Sequence, residues 1–251
     1  QEDDKLLNPN NDDGNRNFDQ WSMINNKATI IADIDIQHKN FGVFIRPKAF
    51  YDHAYISDND NDSPLTNNAL LGNIINDNDE WADEVEDVHG KDAEILDLFG
   101  YLSFDLGGHL TEIRVGRQTI AWGEQLYISG GVASGMSYAD LSAAVAVGTE
   151  LKEIYLPSES VFLQVEITNA MAFAAFYQWK WEPHRLYEGG TFFATSPVGD
   201  LLDELEAPLI TQFGLFGRGD DLDADDSGQF GVALTYVLPW LNDMEIGLYY
   251  V

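Results

Sequence analysis

The chain has 251 residues, and its 13 Lys+Arg against 43 Asp+Glu leave a formal net charge of −30. That balance excludes a nucleic-acid partner, because a phosphate-binding surface must be basic, while 45% hydrophobic and 12% aromatic residues supply enough apolar surface for a packed domain. The absence of cysteine removes disulfides, zinc-thiolate sites, iron-sulfur clusters and cysteine nucleophiles together.

Residues 1–27 read as a polar lead-in that opens Gln1-Glu2-Asp3-Asp4, without a basic or apolar leader segment. From residue 28 the pattern changes to period two. Ala28 to Gln37 sets Ile30, Ala32, Ile34 and Ile36 against Ile31, Asp33, Asp35 and Gln37, which predicts a half-buried strand. A turn at His38-Lys39-Asn40 leads into Phe41 to Tyr51 and completes a hairpin. Ile95 to Asp105 and Leu110 to Ile120 form a second hairpin through Gly107-Gly108. In a third, Val161, Leu163, Val165 and Ile167 alternate with Ser160, Phe162, Gln164 and Glu166. After Thr168-Asn169 that hairpin continues as Met171, Phe173, Ala175, Tyr177, Trp179 and Trp181 on one face. Phe230 to Leu238 turns at Pro239 to Asp243 into Met244 to Tyr250. The count is about eight strands of about ten residues, whereas no run approaches the ~20 apolar residues a spanning helix requires.

The acidic residues concentrate in three stretches: six in 1–19, fourteen in 52–97 and five in 220–226. Negative charge therefore belongs mainly to loops and the alternating segments to the framework. Asp58 to Asp62 and Asp223 to Gly228 begin like calcium loops. In the first, Ser63 replaces the required Gly and Ala69 the closing Glu, and in the second Leu234 stands at the closing position. Solvated loops are the simpler reading, weak divalent-cation binding is the alternative, and no metal site is assigned.

Such strands fit two architectures. A soluble sandwich points its apolar face into a core, whereas a membrane barrel points that face at lipid. Strand length, short turns (38–40, 107–109, 168–169, 239–243) alternating with long links (52–92, 121–159, 182–228), and aromatics near strand ends favour the barrel. Trp179, Trp181, Tyr236, Trp240, Tyr249 and Tyr250 are candidates for interface girdles, and filling a soluble core is their alternative.

Several motifs, in order along nearly the whole chain, carry a family resemblance. They are Asn11-Asp12-Asp13-Gly14-Asn15-Arg16-Asn17-Phe18, Phe41-Gly42-Val43-Phe44-Ile45-Arg46 with Ala49-Phe50-Tyr51-Asp52, and Arg114-Val115-Gly116-Arg117-Gln118 with Trp122-Gly123-Glu124. Further on come Gly148-Thr149-Glu150-Leu151-Lys152-Glu153 with Pro157, Phe176-Tyr177-Gln178-Trp179 with Trp181-Glu182-Pro183, and Gly247-Leu248-Tyr249-Tyr250. With these the sequence resembles the Gram-negative outer-membrane proteins catalogued as domain of unknown function 1302. The resemblance implies an antiparallel transmembrane β-barrel, all-β, of which residues 28–251 are one portion, incomplete at both ends. It also implies location in the bacterial outer membrane and the passage or handling of hydrophobic compounds or lipids. The expected partners are membrane lipid, a hydrophobic small-molecule or lipid substrate and other envelope proteins, and no cofactor is expected. Relatives often carry cysteines after the Trp-Glu-Pro motif, whereas Tyr187-Glu188-Gly189-Gly190 has none.

The 121–159 link is too long for a turn, and Asp140 stands as a helix N-cap before Leu141-Ser142-Ala143-Ala144-Val145. It is expected to fold into the lumen, the alternative being a loop that stays outside. Glu112, Arg114 and Gln118 share a strand face. Arg117 falls on the lipid face of a regular strand, so either a bulge near Gly116 turns it inward to meet Glu124, Glu150 or Glu153, the favoured reading, or it lies at the membrane interface. Glu112, Arg114, Arg117, Gln118, Trp122, Glu124, Glu150, Lys152 and Glu153 are thus the lumen or constriction candidates. Simple pinning of the inserted segment by ion pairs uses the same residues. No catalytic residues are assigned: there is no Gly-x-Ser-x-Gly, no phosphate loop and no helical His pair, and His38, His53, His89, His109 and His184 read as surface residues. The rival to the barrel is a secreted carbohydrate-binding or carbohydrate-acting β-sandwich, for which the Trp179-Lys180-Trp181 strand offers a sugar platform.

Overall fold

The computed structural model describes residues 13–61, 79–81, 83–123, 136–146, 148–194, 209–211, 214–216 and 222–251. In chain order the strands are β1 (Lys27–Ile31), β2 (Ile34–His38), β3 (Phe41–Asp52), β4 (Lys91–Asp105), β5 (Leu110–Gln118), β6 (Tyr138–Ala139), β7 (Tyr155–Leu156), β8 (Ser158–Thr168), β9 (Met171–Gln178), β10 (Leu209–Thr211), β11 (Gly214–Phe216), β12 (Phe230–Leu238) and β13 (Met244–Tyr250). One antiparallel sheet runs β1-β3-β4-β5-β8-β9-β12-β13, with β2 also pairing β3. The protein is all-β and antiparallel. Among the described residues the sheet is open, because β13 pairs only with β12 and β1 only with β3.

All four predicted hairpins form, and every short turn falls at the same end of the sheet while the long links leave from the other. Several boundaries differ from the sequence reading: β4 begins at Lys91 rather than Ile95, and β5 ends at Gln118 rather than Ile120. The strand expected over 28–37 is two strands interrupted at Ala32-Asp33, and β9 stops at Gln178 rather than running to Trp181. The interruption lies opposite Pro47, which has no N–H to donate to a ladder, and there the β3-β4 register shifts, leaving Leu96 unpaired. Because Ile31 still faces Lys48 and Ile34 still faces Ile45, the alternation continues across the gap.

The registers assign every strand residue to one of two faces. One cross-strand row reads Ile36, Val43, Gly100, Val115, Val161, Tyr177, Phe230, and the next reads Phe41, Leu102, Ile113, Leu163, Ala175, Val232, Tyr250. This apolar face is left bare: Ile36, Leu248 and Tyr250 keep more than 60% of their surface. On the opposite face the rows read Gln37, Gly42, Tyr101, Arg114, Phe162, Phe176, Gly231 and Ser103, Glu112, Gln164, Ala174, Ala233, Tyr249. The protein's cores lie on this polar face and at the long-link end. Ile120, Met136, Phe162 and Phe176 form one cluster, Leu96, Tyr138 and Leu156 a second, and Phe18, Tyr55, Trp81 and Val85 a third. The lead-in segment contributes to the third through Phe18, while Asn17 Nδ2 donates to the Gly190 carbonyl at 2.9 Å.

Candidate functional site

The described part of the 121–159 link folds back onto the polar face. Asp140 caps the helix Leu141–Val145 as its sequence predicts, its Oδ1 accepting from Ala143 N at 2.9 Å. A second short helix, Leu151–Ile154, begins where the Glu153 carboxylate accepts from the Glu150 backbone N–H at 3.1 Å. The β6-β7 ribbon closes the segment at its base. Buried polar groups then tie it to the sheet. Gln178 Nε2 donates to the Met136 carbonyl and to Ser158 Oγ, both at 2.7 Å, and Ser137 Oγ donates to the Ile120 carbonyl at 2.8 Å.

Two arginines bolt this assembly together. Arg185 Nη1 and Nη2 each meet a Glu94 oxygen at 3.0 Å, and Nη1 also reaches Asp140 at 3.3 Å, linking the 179–194 segment, β4 and the inserted helix. Arg117 Nε donates to the Leu96 carbonyl at 3.2 Å, Nη1 to Glu182 at 3.1 Å and Nη2 to Tyr138 Oη at 2.8 Å. Tyr138 in turn donates to the second Glu182 oxygen at 3.0 Å. Burial opposes ionisation of Glu182, but the bonds from Lys180, Arg117 and Tyr138 outweigh it and hold the carboxyl below its ordinary range. Burial and the adjacent Glu182 charge push the Tyr138 phenol up.

Of the sequence-predicted residues, Glu112 and Arg114 form a direct pair at 2.6 Å on the polar face, with the Arg114 guanidinium lying over the Phe99 and Phe162 rings. Gln118 is buried and donates to the Ser160 carbonyl. Trp122 packs against Phe176 and Tyr249, at ring separations of 5.1 and 6.3 Å. Glu150 and Lys152 pair with each other at 3.0 Å at the surface, whereas Glu153 is buried and faces Lys48 Nζ at 3.8 Å. Glu124 lies outside the described residues. The expected bulge at Gly116 is absent: the ladders on both sides of β5 run through Gly116 without a shift, and the irregularity sits in β4 at Leu96. Arg117 accordingly meets Glu182 rather than Glu150 or Glu153, and it also satisfies the carbonyl of the unpaired residue.

Trp179, Tyr236, Trp240 and Tyr250 lie on or beside the bare face, with Trp179 and Tyr250 towards the long-link end and Tyr236 and Trp240 towards the short turns. Tyr249 departs from the girdle expectation, because it pairs with Ala233 and faces Trp122 on the polar side. Trp181 lies in irregular chain after β9 and is partly buried.

A model of the family described as "Protein of unknown function (DUF1302)" matches residues 1–251. The chain belongs to that family. No curated protein and no solved structure matches it. In this DUF1302 chain the residues that sequence reasoning missed are Lys48, Glu94, Asp97, Tyr138, Glu182 and Arg185. Glu182 was within reach, since it is the acid of the Trp181-Glu182-Pro183 motif. Asp97 and Asp33 flank Arg46 at 2.8 and 2.7 Å, a triad recognisable only once β2, β3 and β4 are side by side. No group of three or more His, Asp or Glu suited to a metal occurs among the described residues. The arrangement is a clamp of ion pairs and buried hydrogen bonds, which fixes a segment against a sheet face.

One prediction distinguishes the two helix-start glutamates. Glu150→Gln is expected to change stability by less than about 0.5 kcal/mol, since its partner is solvated. Glu153→Gln leaves buried Lys48 without its counter-charge and weakens the cap, costing about 2 kcal/mol. Urea titration of the DUF1302 chain refolded in detergent, followed by near-ultraviolet circular dichroism, measures both.

His89 supplies a second prediction. Its Nε2 accepts from the Glu188 backbone N–H at 3.1 Å and its ring lies 5.2 Å from Tyr55, so the fold requires the neutral imidazole. Burial, reinforced by the Lys27 charge, pushes its pKa down to about 4. The unfolded chain therefore binds more protons between about pH 6.5 and 4, and stability is complete above that window and falls as pH drops through it. The expected loss is about 2 kcal/mol between neutrality and about pH 5. His89→Gln, which keeps an acceptor, should flatten that limb in the same titration repeated across pH.

Proposed function

We propose that this chain forms part of the wall of an outer-membrane β-barrel that passes or handles hydrophobic compounds or lipids, with the 136–156 segment held inside the barrel as a constriction or plug. The observation that carries the reading is the bare apolar face. Across seven or more strands, successive rows of Ile, Val, Leu, Phe and Tyr point away from every core of the protein, and no second sheet covers them among the described residues. An exposed apolar surface of this extent is far larger than a water-soluble domain tolerates. Hydrocarbon tails are its natural solvent. β3, β4 and β8 have 12, 15 and 11 residues, β5 and β12 have 9 each, and ~9–11 tilted residues cross a bilayer. The one-sided distribution of short turns and long acidic links matches the asymmetry of outer-membrane barrels. A sandwich would need a partner sheet against the rows beginning at Ile36 and Phe41. No helix among the described residues is long and apolar enough to cross a membrane, so strands are what this reading places there.

The test is folding into lipid. In the barrel reading the chain enters detergent or vesicles, gains strand content there, and migrates differently on gels before and after heating. Remaining in the aqueous phase as a folded monomer would instead point to the sandwich. For the transport role, planar-bilayer recordings compare the native protein with charge reversal at Glu150, which faces solvent and leaves the clamp intact. A changed conductance or ion preference supports a constriction at the inserted segment, whereas identical traces leave that segment only a structural role.

A further inference from the structure

Arginine carries its N–H donors in a rigid planar fork, and this fold engages most of them. Arg46 brings its two Nη atoms to Asp97 and Asp33, Arg117 to Glu182 and Tyr138, and Arg185 to the two Glu94 oxygens. Arg114 is the exception. Its Nε donates to Glu112 at 2.6 Å, and neither Nη has an acceptor among the described residues. The open edge of that fork is still fixed in direction. The guanidinium lies 5.6 Å from the Phe99 ring centre and 5.3 Å from that of Phe162, while 37% of the side chain remains accessible. Arg114 stands at the middle of β5, where the cover given by the inserted segment ends. On one side Phe162 is buried in the cluster with Met136. On the other, Phe44, Phe99 and Tyr101 are only half-buried. Phe44 and Phe99 stack at 5.2 Å, and Tyr101 lies over Gly42, where any Cβ would strike its ring. The Tyr101 hydroxyl donates to Asp35 at 2.8 Å, so the rings form an apolar patch beside the open fork.

We propose that Arg114 and the adjoining Phe44, Phe99 and Tyr101 rings bind a hydrophobic monocarboxylate. Its carboxylate takes the two free Nη donors end-on, and its apolar body lies on the rings. The proposal rests on the barrel reading above, in which the polar face lines the lumen, and it gives the handled compounds a chemical class. Two parallel N–H donors match the two oxygens of a planar carboxylate, whereas a neutral carbonyl offers one oxygen and no charge. Neighbouring carboxylates restrict the ligand to a single charge. Asp35, Asp97 and Glu112 share this face, so a phosphate dianion meets more repulsion than a carboxylate does. The ring patch favours an apolar body over a small hydrated anion, because burying the exposed ring faces is what such a body adds.

The experiment is equilibrium binding of a naphthalene carboxylate to the chain reconstituted into lipid nanodiscs near neutral pH, with binding to empty nanodiscs subtracted. The matching naphthalene carboxamide and inorganic phosphate are the comparison ligands. The carboxylate is expected to saturate one site, the carboxamide to bind about tenfold more weakly, and phosphate not to compete. Arg114→Gln should weaken carboxylate binding about tenfold or more, and Arg114→Lys should recover only part, since an ammonium lacks the fork. Glu112→Gln separates recognition from structure. It removes the competing charge beside the fork and should tighten carboxylate binding about threefold, whereas an arginine that only ties the wall together gives no such gain. Lys39→Asn, which takes one positive charge from the exposed turn between β2 and β3, should leave the affinity unchanged. An embedded chain that binds carboxamide as tightly as carboxylate, or whose carboxylate affinity is the same in Arg114→Gln or fails to rise in Glu112→Gln, would overturn the site and leave the barrel reading intact. Displacement by phosphate would overturn the carboxylate assignment in favour of a general anion site. A chain that never becomes embedded in lipid would overturn both the site and the barrel reading.

Discussion

Replacing Gly116 with alanine is expected to destabilise the sheet by about 4 kcal/mol. Gly116 has φ +136°, a conformation that side-chain-bearing residues rarely adopt. A Cβ built there would lie 2.4 Å from the Leu98 carbonyl oxygen and 2.8 Å from Phe99 Cα, both backbone atoms of the neighbouring strand that cannot swing aside. The ladder with β4 and β8 nevertheless continues through Gly116, so relief would require breaking pairs on one side. Arg117 follows directly, and any shift of β5 would also pull its guanidinium from the Leu96 carbonyl. Urea midpoints of native and Gly116→Ala chains refolded in detergent, with Gly100→Ala as a control, measure the effect. The Cβ of that control would meet nothing closer than the Gly42 carbonyl oxygen at 3.8 Å, so a comparable loss in both variants would show that the strain at Gly116 is not what matters.

Alternation made the sheet legible because each strand of a one-layer sheet has two unlike surroundings. Val161, Leu163 and Val165 against Gln164 and Glu166 needed no further information to be assigned to faces. The break at Ala32-Asp33 was invisible for the same reason, since Ile30 and Ile34 keep the same parity across it and only Pro47, on another strand, causes it. Phe162 illustrates a second limit. Period two correctly put it with Ser160 and Gln164, but what covers it is Met136, supplied from a distant link. Tyr249 could have been assigned from sequence alone, because neighbours 249 and 250 cannot both face lipid in a regular strand. Local chemistry read well: the Asp140 cap depends on residues within three positions. The clamp did not, because the pairs Arg117 to Glu182 and Arg185 to Glu94 span 65 and 91 residues and are fixed by which strands lie adjacent, not by spacing.

The clamp makes Arg117 the residue whose charge the fold can least do without. Arg117→Ala is expected to cost about 3 kcal/mol, because three groups lose a donor at once: the Leu96 carbonyl at the strand irregularity, the Glu182 carboxylate and the Tyr138 hydroxyl. Arg117→Lys should recover only part of this, since a single ammonium cannot reach three acceptors set around a planar fork. The pair with Glu182 is testable by a double-mutant cycle. Glu182→Gln alone removes the counter-charge but keeps an acceptor for Arg117 and Tyr138, and the Lys180 it also pairs with at 3.0 Å is exposed, so its loss should be smaller than that of Arg117. If the clamp acts as a unit, the double variant will lose less than the sum of the two singles, by at least about 1 kcal/mol. Additive losses would mean that Arg117 works mainly through the Leu96 carbonyl, as a cap on the irregular strand. In that case the inserted segment owes its place to Gln178, Arg185 and the buried Leu96, Tyr138 and Leu156 cluster instead.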